Sequence, residues 1–572
     1  MVTPGTLHET LTCGLEDVKV QRAAGLEPFG PDWRCWLAKE SINHEVLGRA
    51  LVEVAVRAPD AATVAVEGVT SLTEALCRAL GDRFGPALRV LAGSHPTKAT
   101  RLFGCPVAFG DPPLCDYDLV VSADVGARVP DPPWSSQRLS LAHPEVQARY
   151  LALLHSHRSA LGARLDALIA DNPKTVIFVS RKAFFNQIRM SAELRRRGWT
   201  TAAVVLDARL QEHKEGHFDA LLASDLCSLL CWLSGSSGAR IHTQGWLFRY
   251  HIPTLIDAFK PPTCRHVVET MDLNSMFLPP QDTDRTLAHM RAAWGESVER
   301  DHAVQCACER YLYRNADGVL FTGSGGYERE LGIEALGRSR CFVHFLSYPL
   351  RDFFVEVPGV EAPPDGCDPR RLRLVFAGGV VAVEPRRPPA LFGDAQLVGT
   401  FAPLVEAGLQ LDVYNNPLLA DGGSYEVLYR EHLELARRHA NYRFVEGGPP
   451  WELNRTLAEY DYGLMVYDFT GNLVGDKHMR SMIPAKLFMY LEAGLPVLVS
   501  SRIAAACRLV EQYGCGVAVE PVQLRDFPEF LRGLQHEELR RGAARARERL
   551  AMDGQIERLI AIYQDGRPDG SE

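Results

Sequence analysis

The sequence predicts an α/β protein built from parallel sheets, and three observations carry that reading. Short apolar runs recur along the chain with amphipathic stretches between them. The runs are continuously apolar rather than alternating, as strands buried on both faces are. A stretch rich in proline, glycine and acid, EVPGVEAPPDGCDPRR (356–371), divides the larger part of the chain into two similar strand–helix series.

Residues 1–135 read as an additional α/β domain with four strands: ATVAVEG (62–68), ALRVLAGS (87–94), CPVAFG (105–110) and YDLVVSAD (117–124). EGVTS (67–71) closes a strand and opens a helix, so its N–H groups suit an anion, but it lacks the glycines and lysine of a phosphate loop. A structural or partner-binding role is the expectation for this domain. Asp116 and Asp118 imitate a metal-binding Asp-x-Asp, yet they lead straight into a strand and read as turn and edge residues. Residues 136–173 read as a helical connection.

The second unit, 174–355, runs through KTVIFVS, an amphipathic helix, TAAVVLD, FDALLAS, ARIHTQGW (239–246), CRHVVETMD (264–272), ADGVLFTGS (316–324) and CFVHFLSYP (341–349). After the linker, the unit 372–530 contains LRLVFAGG (372–379), LQLDVYNN (409–416), NYRFVEGG (441–448), YGLMVYD (462–468), PVLVS and GCGVAVEP (514–521). In IPAKLFMYLEAGLPVLVSS (483–501), Leu487, Tyr490 and Leu491 share a helix face, and Gly494 and Pro496 end the helix before the next strand. A charged helical tail occupies 531–572.

Bulk properties narrow the function. A net charge of −9 favours neither nucleic acid nor an anionic membrane, so any anion site must be local. The 14 cysteines show no paired zinc spacing and read as reduced thiols; no metal site is expected. The start has no signal-peptide pattern, and the most apolar span, ALLASDLCSLLCWLSG, is too short and carries Asp225, so a cytoplasmic protein without a membrane span is expected. Basic helices such as ELRRRGW (193–199) allow peripheral membrane contact but read more simply as solvated faces.

Two such units joined by a linker, with PAKLFMYLEAGLPVL in the second, resemble glycosyltransferases of the two-domain GT-B fold. The likeness is greatest to the large retaining group (group 1, family 4-like) that uses nucleotide-activated sugars. Its pattern Pro-x-Lys-x-x-Glu-Tyr-x-x-x-Gly-x-Pro-Val is met by Pro484, Lys486, Tyr490, Gly494, Pro496 and Val497. Supporting matches lie in NYRFVEGGPPWELNRTLAEYDYGLMVYD and CERYLYRNADGVLFTGS. The resemblance implies two Rossmann-like domains facing a cleft, preceded here by the additional domain, with the tail crossing back to the first of the pair.

It also implies residue roles. Lys486, on the first turn of its helix, would bind the donor diphosphate near the glycines Gly378 and Gly379 that end a strand. Arg386 and Arg387 would offset leaving-group charge, or form a solvated basic turn. Met489 stands where the family has a glutamate for the ribose hydroxyls, and a thioether accepts hydrogen bonds poorly. Glu492, three residues on, is a substitute acceptor or a solvent-exposed side chain. His242 and Gln244 occupy a His-x-His position; His242 is ligand-facing or a satisfied core group. Asp272 orients the acceptor or takes its proton, or caps a turn. Loop 180–186 offers Arg181 and Lys182 to an anionic acceptor and Phe184 and Phe185 for stacking or core packing. Glu309 is structural.

The function expected is transfer of a sugar from a UDP- or GDP-sugar to an acceptor hydroxyl on a glycan, lipid-linked or protein acceptor, with retention and no cofactor. A GT-B module that lost catalysis and serves as a binding subunit is the alternative favoured by Met489 and Gln244. A sugar-nucleotide epimerase is a third reading.

Overall fold

Three sheets account for the predicted strand series. The structure is a computed structural model that describes residues 20–564, apart from 58–63, 68–70, 85–87, 92–100, 103–104, 109–118, 123–137, 141–142, 207–215, 279–282, 324–340, 357–361, 383–388, 416–427, 468 and 470. The first sheet holds β1 (Val64–Glu67), β2 (Leu88–Leu91), β3 (Arg101–Leu102), β4 (Cys105–Ala108), β5 (Leu119–Ser122) and β6 (Arg138–Leu139). Its order is β3-β4-β2-β1-β5-β6, parallel except where β3 meets β4. The helices His44–Ala55, Ser71–Phe84 and Pro144–Asp171 cover one face with Leu51, Leu80 and Tyr150 over Val64, Val66 and Val121. Asp116 and Asp118 lie outside the described residues.

The second sheet is parallel and contains β7 (Thr175–Ser180), β8 (Thr200–Val205), β9 (Ala220–Ala223), β10 (Arg240–Gly245), β11 (Arg265–Thr270), β12 (Gly318–Phe321) and β13 (Phe342–His344), in the order β13-β12-β11-β10-β7-β8-β9. The third is also parallel: β14 (Arg373–Gly378), β15 (Gln410–Asn415), β16 (Tyr442–Glu446), β17 (Tyr462–Met465), β18 (Val497–Ser500) and β19 (Gly516–Val519), in the order β16-β15-β14-β17-β18-β19. Strand order reverses between β7 and β10 in one and between β14 and β17 in the other. In open parallel sheets, ligands bind outside the carboxyl ends of the strands at such a reversal. The α/β class and the pair of Rossmann-like units are as the sequence predicts.

Two boundaries differ from the sequence reading. Residues 23–39, expected in the additional domain, bury Phe29, Trp36 and Leu37 in the core of the second sheet with Leu229, Leu255 and Val268. Arg22 reinforces this by pairing with the buried Asp257 at 3.2 Å. At the other end, β6 carries the first sheet beyond residue 135, into the stretch read as purely helical.

The tail divides its packing. The helix His536–Arg549 lies on the third-sheet unit, where Gly542 comes so close to Gly514 that a Cβ would sit 1.7 Å from its carbonyl oxygen. The chain then crosses, with the Met552 N–H donating to the Pro349 carbonyl at 2.8 Å. The last helix, Ile556–Gln564, packs on the second sheet, where a Cβ on Gly318 would sit 2.6 Å from Ile562. One hydrophobic core therefore runs from Val176, Phe178 and Val267 through Leu487, Tyr490 and Val497 to Ile556 and Tyr563.

Inside this junction lies one ion pair. Arg189 donates from Nε and Nη2 to the two oxygens of Glu492, each at 2.7 Å, and both side chains are buried. The Leu350 N–H (2.8 Å) and Asn454 Nδ2 (3.3 Å) also donate to that carboxylate. Glu492 is thus neither exposed nor a ribose acceptor: its lone pairs are taken by Arg189 of the first of the paired units, by Leu350 on the approach to the linker and by Asn454 of its own unit. Arg189→Met should lower stability by about 3–5 kcal/mol, because it strands a buried carboxylate, whereas Arg189→Met/Glu492→Leu should recover most of that loss. Urea denaturation followed by tryptophan fluorescence checks both, and an equal loss in the double variant would count against it.

Candidate functional site

The helix Lys486–Glu492 is fitted into the strand reversal of the third sheet. β14 and β17 pair only at Leu374↔Tyr462 and Val375↔Gly463 and then separate. Tyr490 fills the gap: its hydroxyl accepts the Ala377 N–H at 2.9 Å and donates to the Leu464 carbonyl at 3.1 Å. Gly463 leaves room for that ring, since a Cβ there would sit 2.5 Å from it.

One turn earlier, Lys486 projects its amine to the ends of the separated strands. Nζ donates to the Tyr467 hydroxyl at 2.7 Å and lies 3.9 Å from the centre of the Phe376 ring. A Cβ on Gly378, whose φ is 148°, would come within 3.2 Å of Nζ, so glycine is what lets the amine approach the strand end. Burial pushes the amine down to about 7, against the opposing effect of Asp394. Asp394 is itself raised to about 6 by burial, although it accepts a hydrogen bond from Asn472. At the end of the neighbouring strand β15, the buried Nδ2 of Asn415 has no partner among the described residues, while its Oδ1 accepts the Val380 N–H at 2.9 Å. Lys486, Gly378 and Gly379 thus come together at the reversal; Arg386 and Arg387 lie outside the described residues. Met489 is buried in the core that joins the two units.

The second sheet supplies the other wall. Asp272, two residues past β11, accepts from the Trp246 indole N–H at 2.6 Å, and its other oxygen is 3.8 Å from Nε2 of His478 on the helix Asp476–Ser481. Asp272 therefore faces the second of the paired units. The Phe184 ring meets Trp246 edge-on at 5.5 Å, whereas Phe185 packs on Trp451. Arg181 is 3.9 Å from the Glu40 carboxylate, which also pairs with Arg249 and His251. Glu309 is structural: it accepts the N–H groups of Asn274 and Ser275 at 2.8 and 3.4 Å.

His242 is not at the cleft surface. It is fully buried under Phe178, its Nδ1 is hydrogen-bonded to the Tyr563 hydroxyl of the tail, and burial drives its pKa down to about 3. A catalytic role for His242 is corrected to that of a neutral core group tying the tail to β10. Its Nε2 lies 4.0 Å from the buried carboxyl of Glu269. Burial raises Glu269 to about 7, and Asn186 donates a hydrogen bond to it.

Residues 425–551 match the model of the glucosyltransferase 3-like C-terminal domain. The chain carries a glycosyltransferase domain. The matched span contains Tyr467, Lys486, Tyr490 and Gly494, so the amine at the strand reversal belongs to that domain. No curated protein matches the chain. Among solved structures it is similar to AviGT4, a glycosyltransferase involved in avilamycin A biosynthesis, with 14% identity, 68% of this chain and 97% of that one covered, and a TM-score of 0.36. A UDP-forming alpha,alpha-trehalose-phosphate synthase from Burkholderia xenovorans, in complex with glucose-6-phosphate, shares 11% identity, with 68% and 100% covered and a TM-score of 0.42. A putative UDP-N-acetylglucosamine 2-epimerase from Listeria monocytogenes shares 10%, with 68% and 96% covered and a TM-score of 0.38.

In this glycosyltransferase-type chain the sequence reading missed Trp246, Tyr467, Asp394 and His478 as residues of the two walls. Trp246 had a signal, as the first residue after the strand at the reversal; the others are brought in by long-range packing. The acid Glu269 gives a signed pH dependence. Folding raises its pKa from 4.5 to about 7, so its charge opposes folding fully above pH 7, and stability returns as pH falls toward 4.5. Glu269→Gln, which keeps an acceptor for Asn186, should stabilise the protein by up to about 3 kcal/mol above pH 7 and by nothing at the acid end. Denaturation midpoints measured from pH 5 to 8.5 test this, and a pH-independent difference would contradict it.

Proposed function

We propose that this glycosyltransferase-type chain transfers a sugar from a nucleoside diphosphate donor to an acceptor hydroxyl, with retention at the anomeric carbon. The observation that carries the reading is the Lys486 amine held against Gly378 at the β14/β17 reversal. A diphosphate there meets a cation in a half-buried, aromatic-walled position where charge is weakly screened. As the anomeric C–O bond breaks, the electron pair passes to a diphosphate oxygen, and Lys486 stabilises the developing charge. The acceptor oxygen bonds to the anomeric carbon from the wall that carries Asp272, and its proton passes to the departing diphosphate.

The donor is a UDP- or GDP-sugar, as the family resemblance implies. A binding subunit without catalysis is the second reading, favoured by Met489, which supplies no carboxylate for ribose. For the epimerase reading, Glu269 and Glu309 do not serve as proton-transfer groups of the cleft, since both are buried in structural hydrogen bonds.

Calorimetric titration of UDP, GDP and ADP decides between the first two. One of the three should bind, and Lys486→Ala should weaken it roughly 10- to 150-fold, the value of a charge-assisted contact. Because the free amine titrates near 7 and a bound diphosphate raises its pKa, wild-type affinity should fall by up to about tenfold per pH unit above 7. Lys486→Ala should lose that dependence. No binding by any of the three to folded protein would transfer the case to the binding-subunit reading.

A further inference from the structure

We propose that Trp246 is the platform of an acceptor subsite for a pyranose ring, which makes the acceptor a carbohydrate; the inference rests on the transferase reading above. Trp246 is the first residue after β10, at the carboxyl-end reversal of the second sheet, while Phe184 follows β7 on the other side of that reversal. Its side chain is 40% exposed, and it is the one aromatic among the exposed large hydrophobic residues described.

The ring is exposed but fixed. Its N–H is held by Asp272 at 2.6 Å and its flank by the Phe184 edge at an interplanar angle of 84°. The backbone behind it is equally constrained. The Arg249 N–H donates to the Trp246 carbonyl at 2.7 Å, and Phe248 takes a φ of 59°, a conformation that bulky residues rarely adopt. Asn274 holds that turn by accepting the Phe248 N–H at 2.8 Å, and Glu309 in turn holds Asn274. Gly245 admits the Tyr250 ring beneath, where a Cβ would sit 2.6 Å away. Packing alone would bury an indole rather than brace it open to solvent.

A flat π face beside a carboxylate suits one chemistry in particular. The face of a pyranose that carries axial C–H groups is apolar and slightly positive, complementary to the negative face of an indole. The hydroxyls around the ring need acceptors at its rim. Asp272 is one-third exposed, and its second oxygen, 3.8 Å from His478, is beyond hydrogen-bond distance of that group and has lone pairs to offer. The diphosphate-binding amine lies at the reversal of the other sheet, so a nucleobase is not the occupant expected here.

The test uses the full chain with methyl α- and β-pyranosides of glucose, galactose, mannose and N-acetylglucosamine, read by saturation-transfer NMR. At least one should bind saturably, with the strongest transfer to its ring C–H protons. Trp246→Ala should weaken it about tenfold or more and Trp246→Phe much less, while nucleoside diphosphate affinity stays as in wild type. Equal pyranoside affinity in Trp246→Ala would overturn the proposal. So would binding of hexyl glucoside with none of the methyl glycosides, which would mark a platform for an alkyl chain. Pyranoside binding lost in Trp246→Ala, in a protein that binds no nucleoside diphosphate, would keep the subsite and remove the transferase reading.

Discussion

The buried pair between Arg189 and Glu492 decides how the two Rossmann-like units face each other. Taking both charges out of water costs several kcal/mol each, and the geometry recovers this only because the contact is bidentate and the carboxylate has further donors. Those donors come from different places: the helix Phe185–Arg196, the chain before the linker through Leu350, and Asn454 of the helix Pro450–Leu457. A different relative placement of the units would leave a carboxylate buried without partners. The pair therefore specifies one docking of the two units far more than it adds to their stability.

That anchor shares a seven-residue helix with the candidate cation. Glu492 and Lys486 are six residues apart, about 9 Å along a helix. The C-terminal end of the helix is fastened to the first unit, its middle is wedged by Tyr490 between β14 and β17, and its N-terminal end presents the amine. Any motion of one unit against the other is thus transmitted to Lys486 through a rigid element. The wall opposite is set in a similar way, since Glu309 fixes Asn274, Asn274 fixes the turn at Phe248, and that turn carries Trp246.

The paired sheets were legible because strands buried on both faces are unbroken apolar runs, and VFAGG, YGLMVYD and PVLVS announce themselves without knowledge of their neighbours. Lys486 was legible through the spacing that ends in Gly494 and Pro496, and Gly378 and Gly379 as the glycines that close the apolar run LRLVFAGG. What stayed hidden depends on distant partners. Nothing near Glu492 signals an arginine 303 positions away, so a helical glutamate reads as exposed. His242 meets Tyr563 across 321 residues, and only the tail's return makes it a core group. Residues 23–39 precede the first sheet in sequence but pack on the second, and Phe29 and Trp36 carry no mark of which core they enter.

The departure at Met489 follows from the same docking. Its side chain, 9% exposed, belongs to the core that joins the two units, alongside Leu487, Tyr348 and Phe345. An ionised glutamate there would need its own partners, and Arg189 already donates to both oxygens of Glu492. A carboxylate at that buried position would cost several kcal/mol unless it found a partner of its own. Methionine, flexible and apolar, fills an irregular interface without that conflict. Met489 is therefore tied to the way the units are locked together. Recognition of the ribose, in the proposed transferase, has to come from groups outside that helix face.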